Sequence, residues 1–115
     1  MATLRSPDAI FAHHGQALGT EDFDEIVSDY AEDADLIVQG KTYHGRDGAR
    51  HVFSELLSDL PKATWELETV FAGDILYLEW KARGENGAIG EGVDTFVFRD
   101  GLIQAQTVRY TLFSG

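Results

Sequence analysis

Cysteine is absent from the 115 residues and proline occurs only twice. Without cysteine there is no disulfide framework, so the fold must rest on its core. A chain of this length can bury roughly 60–70% of its unfolded surface, enough for one domain without staples. The missing thiols fit a reducing compartment. The start of the chain lacks a signal-peptide apolar stretch, and no apolar run approaches the ~20 residues of a membrane span. Together these absences predict a soluble, cytoplasmic protein. Basic residues are also scarce, 9 Lys and Arg against 20 Asp and Glu, for a formal net charge of -11. A field of that sign repels phosphate backbones and anionic lipid surfaces, which argues against nucleic-acid and membrane partners.

Dedicated metal chemistry is poorly provided for. CxxC and HExxH spacings are absent, and no His–carboxylate pair at i+4 is expected. The pair His13-His14 would fall on a helix, where adjacent side chains point about 100° apart and do not chelate. Gly84 to Gly92 is glycine-rich but lies between strand patterns, so it is no phosphate loop. No metal and no organic cofactor is therefore expected.

The patterns that are present define three helices followed by strands. Ser6-Pro7-Asp8 reads as a helix entrance, with Ser6 as N-cap and Pro7 at the first helical position. That helix is expected to stop at Gly19, with His14 on its apolar stripe beside Ile10 and Phe11. A second helix opens at Thr20 or Glu21 and carries Phe23, Ile26, Val27 and Tyr30 at helical spacing. A short strand, Asp35 to Gln39, precedes the turn at Gly40. The third helix follows Tyr43-His44-Gly45-Arg46, its core face set by Ala49, Val52, Phe53, Leu56, Leu57 and Leu60, and Pro61 ends it. Four long strand patterns come next: Ala63 to Phe71, Ile75 to Arg83, Ala88 to Phe98 and Leu102 to Phe113. Gly73-Asp74, an Asn-Gly hairpin signal at Asn86-Gly87, and Arg99-Asp100-Gly101 separate them. The layout is α+β, a single domain over residues 1–115, with a curved antiparallel sheet closed by three N-terminal helices into a cone.

One residue breaks the pattern. Alternation places Asp94 on the same strand face as Phe96 and Phe98, and an ionised carboxylate buried without a partner loses several kcal/mol. Either it pairs, or it holds its proton, or it borders a wet cavity. Gly90 and Gly92 share its face, leaving room for a bend or for another group.

The run EDFDEIVSDYAEDADLIVQG, then YHGRDGARHVF, then EGVDTFVFRDGLI resembles the nuclear transport factor 2-like (cystatin-like) superfamily, in particular its SnoaL-like branch. The similarity covers about Pro7 to Leu112. It implies the cone fold, and the superfold hosts isomerases, cyclases, dehydratases, hydrolases and non-enzymatic dimers. Laid without gaps from Phe11 through Val38, the ketosteroid isomerase relatives put their oxyanion tyrosine on His14 and a supporting tyrosine on Tyr30. Their base aspartate falls on Val38. Further on, another supporting tyrosine falls on Phe53, and the protonated acid of the oxyanion hole falls on Asp94. Val38 cannot abstract a proton, which disfavours the steroid isomerase reaction in that form. The cyclase relatives keep polar groups on the late strands, where this chain has Asp94, Gln106 and Arg109.

Asp94 and His14 are accordingly the candidate catalytic pair, with a carboxylate orienting a histidine base. A buried His–Asp hydrogen bond that only satisfies the core is the competing explanation. Tyr30, Phe53, Trp80, Gln106 and Tyr110 are the candidate walls of a pocket for a small apolar or polycyclic ligand. Two function classes follow. One is a cofactor-free isomerase, cyclase or lyase. The other is a non-catalytic ligand-binding or dimerisation module, pairing through an outer sheet face of Ile75, Tyr77, Val93, Thr95 and Val97.

Overall fold

The computed structural model describes residues 4–113. Helix α1 spans Pro7–Thr20, and its N-cap is built as the sequence suggests, the Ser6 hydroxyl oxygen accepting from the Ala9 N–H at 3.2 Å. The helix runs past Gly19 and is capped by Glu21, which takes the left-handed conformation at φ 54°. Helix α2 (Phe23–Ser28) is capped by Asp22 and ends two residues short of Tyr30, the last residue of its apolar spacing.

Tyr30 belongs to no helix. It opens strand β1 (Tyr30–Val38), which is longer than the expected Asp35–Gln39. The Asp29 carbonyl accepts from the Ile103 N–H at 2.7 Å, so a sheet contact takes the backbone where helix α2 would have continued. A four-residue strand, β2 (Lys41–His44), pairs antiparallel with β1 and had no sequence signature of its own.

Helix α3 (Gly45–Asp59) buries the predicted stripe of Ala49, Val52, Phe53, Leu56 and Leu57. Gly45 begins it with φ +70°, and a Cβ there would stand 2.9 Å from the Glu32 carbonyl oxygen, so no other residue fits without a shift.

The remaining strands are β3 (Thr64–Ala72), β4 (Ile75–Arg83), β5 (Ile89–Arg99) and β6 (Leu102–Phe113). They complete a six-stranded sheet in the order β2-β1-β6-β5-β4-β3. All neighbours are antiparallel except β1 and β6, which run parallel. That pair corrects the expectation of a wholly antiparallel sheet. A parallel partner for β1 requires a long crossover, and α3 with the β3–β5 meander supplies it.

The helices cover the inner sheet face, where Leu76, Leu78, Trp80, Asp94, Phe96, Gln106 and Val108 are buried. Edge strand β3 is the uncovered flank. Even its inner-facing Leu67 and Phe71 stay 47% and 37% exposed. Phe11 of α1 closes onto this flank, with its ring edge-on to Phe71 at 6.3 Å and to Phe96 at 5.7 Å.

Candidate functional site

Registry across β4, β5 and β6 sets Leu78, Asp94 and Val108 side by side on the inner face. Asp94 is 7% exposed, so its carboxyl has left bulk water. Two neutral donors meet it: the Trp80 indole N–H gives to one oxygen at 3.0 Å and the Gln106 side-chain amide to the other at 3.0 Å. Gln106 is itself held, because its carbonyl oxygen accepts from the Tyr30 hydroxyl. Tyr30, Gln106, Asp94 and Trp80 thus form one buried chain of side chains contributed by four different strands.

The electrostatics follow from what that chain lacks. Among the described residues no cation bonds to Asp94, so burial dominates and pushes its carboxyl up to about 6, against the lowering effect of the Trp80 and Gln106 hydrogen bonds. Tyr30 is driven well above the usual phenol value by burial first, and then by the charges of Asp94 and Asp29. The room left by Gly92 is taken: the Trp80 indole lies so close over it that a Cβ would overlap the ring. Leu60 and Trp80 fill the space at Gly90 in the same way.

His14 occupies a different setting from the one expected of it. Among the described residues it makes no hydrogen bond to Asp94. Its ring lies in a box of aromatic side chains, 5.3 Å from Phe53, 5.6 Å from Phe96 and 5.8 Å from Tyr30 between centroids. Its Nδ1 is buried with no hydrogen-bond partner. Burial lowers its pKa to about 4, the Asp29 charge opposing and His13 assisting. At neutral pH it is therefore an uncharged ring and a poor proton acceptor.

The other candidates divide. Phe53 and Tyr30 pack face to edge-tilt at 6.0 Å in the same core as His14. Tyr110 borders Trp80 at 5.8 Å, but its hydroxyl donates to Asp59 at the end of α3 rather than to Asp94. Burial, with the Asp59 carboxylate next, raises Tyr110 to about 12. Arg109 pairs with Val93 in the ladder and so projects from the outer face, away from Asp94 and Gln106. Val38 is an apolar, buried end to β1.

Sequence reasoning missed a second polar centre. Asp29, wholly buried, accepts from Arg5 at 2.8 Å and from the His13 Nδ1 at 2.8 Å. Arg5 also donates to the Gly101 carbonyl at 3.0 Å, and His13 reaches Glu25 at 3.2 Å. The Asp29 carboxylate, first among several causes, raises the His13 pKa. Nothing in the run Asp22, Asp24, Glu25, Asp29, Glu32, Asp33 marks Asp29 as the one that turns inward.

The remaining histidines are peripheral. His44 pairs with Asp35 at 2.9 Å, and its side chain does not cap α3. His51 forms an i,i+4 pair with Glu55 at 3.2 Å, which corrects the expectation that no His–carboxylate pair stands at that spacing, and it stacks on Tyr43 at 5.3 Å. Among the described residues, no three His, Asp or Glu side chains are grouped to hold a metal ion. None of their helices is long and apolar enough to cross a membrane.

On the outer face, Val70, Ile75, Tyr77 and Val93 are exposed at 62%, 48%, 42% and 42%. A groove of about 890 Å³ adjoins them, lined by Glu66, Glu68, Glu79, Lys81, Glu91 and Arg109. Lys81 stands 3.9 Å from Glu91 across the strands, while Glu79 accepts from the Tyr77 hydroxyl at 3.0 Å. This groove lies across the sheet from the Asp94 carboxyl.

A three-helix layer under a mostly antiparallel curved sheet is the nuclear transport factor 2-like, cystatin-like fold. Residues 9–106 match the model of the SnoaL-like domain, and the chain belongs to that family. Among solved structures, the epoxide hydrolase/cyclase-like enzyme SalBIII, from pyran ring formation in the polyether salinomycin, superposes with a TM-score of 0.78. It is 20% identical over 91% of this chain and 90% of its own. IdmH of Streptomyces antibioticus, a proposed polyketide cyclase, gives 0.78 at 19% identity over 92% of both chains. A nuclear transport factor 2-like protein of unknown function from Cytophaga hutchinsonii gives 0.76 at 15% identity over 96% and 95%. At these identities the likeness is one of fold. Among curated protein sequences nothing matches.

Proposed function

We propose that this SnoaL-like domain binds a small, mostly apolar molecule between α1 and the inner sheet face, and that Asp94 exchanges a proton with it. The observation that carries this reading is a carboxyl buried among aromatics with neutral donors on both oxygens and, among the described residues, no cation. A purely structural acid is normally neutralised; one held this way keeps a proton affinity near neutrality, at about 6. At pH 7 the ionised form is the larger population, so Asp94 acts first as acceptor and then as donor. That cycle suits isomerisation, cyclisation or elimination without a metal or organic cofactor, and the cyclase-like relatives lend weight to it.

Such a ligand comes in from the β3 flank, parting the Phe11–Phe71 contact and stacking on Phe96 and Trp80. His14 then serves as a neutral wall of the site. Trp80, bonded to Asp94, gives a direct readout. Titrating polycyclic enones and naphthols should quench its fluorescence saturably, with an affinity that follows a midpoint near pH 6 and loses that dependence in Asp94→Asn. Absence of saturable quenching by every probe up to millimolar concentration, or an unchanged pH profile in the variant, would refute the reading.

A second reading concerns assembly. The apolar outer-face strip of Val70, Ile75, Tyr77 and Val93 suits a homodimer, with Lys81 and Arg109 facing the partner's glutamates. Sedimentation at micromolar concentration decides it, and a monomer there rejects it.

A further inference from the structure

The chain Tyr30–Gln106–Asp94 has a direction, and the end remote from the acid helps to hold it. A glutamine amide is ambidextrous: either its oxygen or its nitrogen can face a neighbour. Here the Tyr30 hydroxyl donates to the Gln106 oxygen, which turns the amide nitrogen toward Asp94 at 3.0 Å. Tyr30 and Gln106 are wholly or almost wholly buried, so water does not compete for either group. Tyr30 comes from the first residue of β1 and Gln106 from its parallel neighbour β6, so the parallel strand pair builds this contact.

We infer that Tyr30 is a positioning residue acting through Gln106: by fixing which end of the amide faces Asp94, it holds that carboxyl as a hydrogen-bond acceptor ready to take a proton. The inference rests on the proton-exchanging role of Asp94 proposed above and adds the device that sets it. If the hydroxyl is removed, the Gln106 oxygen loses the one side-chain donor it has among the described residues. The amide is then held from the Asp94 side alone, and once that acid is protonated the amide can turn over and its oxygen accept from it. The neutral acid gains relative to the carboxylate.

The test needs no substrate, so it stands apart from the search for activity. Asp94 is titrated by carboxyl carbon NMR in the intact chain, together with the Gln106 side-chain amide resonances. In the wild-type protein both should move with one midpoint, near pH 6. Tyr30→Phe keeps the ring and should raise the midpoint by about one unit, the effect of one hydrogen bond to a charged group. Gln106→Leu should raise it by about as much. The double variant should move no further than Gln106→Leu alone, because Tyr30 acts only through the amide. Shifts that add, or a Tyr30→Phe midpoint equal to wild type, would overturn the inference. Should Gln106→Leu fail to fold, the Gln106 amide resonances in Tyr30→Phe decide alone: a changed amide environment supports the reorientation, and an unchanged one rejects it. An Asp94 shown to bind no ligand, yet titrating as described, would sink the functional reading and leave this one standing.

Discussion

Asp29 and Asp94 are both buried aspartates, and their surroundings could hardly differ more. Asp29 meets a guanidinium and an imidazole, Arg5 and His13, each 2.8 Å away. Asp94 meets an indole N–H and an amide N–H, neither of which carries charge. The first arrangement neutralises a buried anion and ties the segment before α1 to the end of α2 and, through Gly101, to the β5–β6 turn. The second leaves the anion costly and therefore responsive to protons. Burial alone does not make an acid chemically available; the charge of its partners decides.

The largest test of that contrast uses pH. The folded-state pKa of Asp94 is raised from 3.8 to about 6, so the native state holds its proton more tightly than the unfolded chain does. Stability from this group is therefore gained as pH falls from about 6 toward 4. His14 runs the other way. Lowered from 6.5 to about 4, it stays neutral in the fold while the unfolded chain takes up protons, so stability is lost across nearly the same window. Each effect is on the order of 3 kcal/mol, and in the wild-type protein the two oppose each other. Relative to wild type, Asp94→Asn should lose about 3 kcal/mol between pH 6.5 and 4, and His14→Phe should gain about as much. Urea unfolding across that range checks both, and parallel curves for the two variants would contradict the assignment.

A smaller effect separates the aspartates directly. At pH 7, Asp29→Asn should cost about 2–3 kcal/mol, because Arg5 and His13 lose their common partner while keeping some solvent contact. Asp94→Asn should stay within about 1 kcal/mol, since a buried charge is removed along with one accepted hydrogen bond. Equal costs in chemical denaturation would erase the distinction drawn between the two sites.

The smallest effect concerns His13, whose pKa is raised chiefly by Asp29. Its pairing contributes fully below 6.5 and fades as pH rises through the raised folded value. His13→Gln should therefore lose less than about 1 kcal/mol at pH 6 and progressively less above that window. Thermal melts at pH 6 and pH 9 would show it.

Much of the fold was legible in the order of the residues. The Ser6-Pro7 entrance, the α3 stripe and the hairpin signals each report a local preference that the tertiary structure keeps. What was illegible depended on distant partners. Tyr30 sits at helical spacing from Ile26 and Val27, yet the bond between the Asp29 carbonyl and Ile103 converts it into the first residue of β1. Strand β2 is too short to announce itself and exists because β1 offers it an edge. In the site, alternation placed Asp94 on the aromatic face of its strand and so singled out the acid. Pattern also placed His14 on the buried stripe, but it could not show which side chain its ring meets. That ring meets phenyl groups and a phenol rather than the carboxylate.

By itself, then, the sequence determined the α+β class, the Ser6 cap of α1, the strand faces and the presence of an acid on an aromatic surface. These follow from propensities and periodicities that act over a few residues. Only the tertiary structure decided the parallel β1–β6 pair, the inward turn of Asp29 and the chain from Tyr30 through Gln106 to Asp94. Each of those joins residues far apart in the chain, and local preference carries no information about which of many acids or amides will end up facing one another.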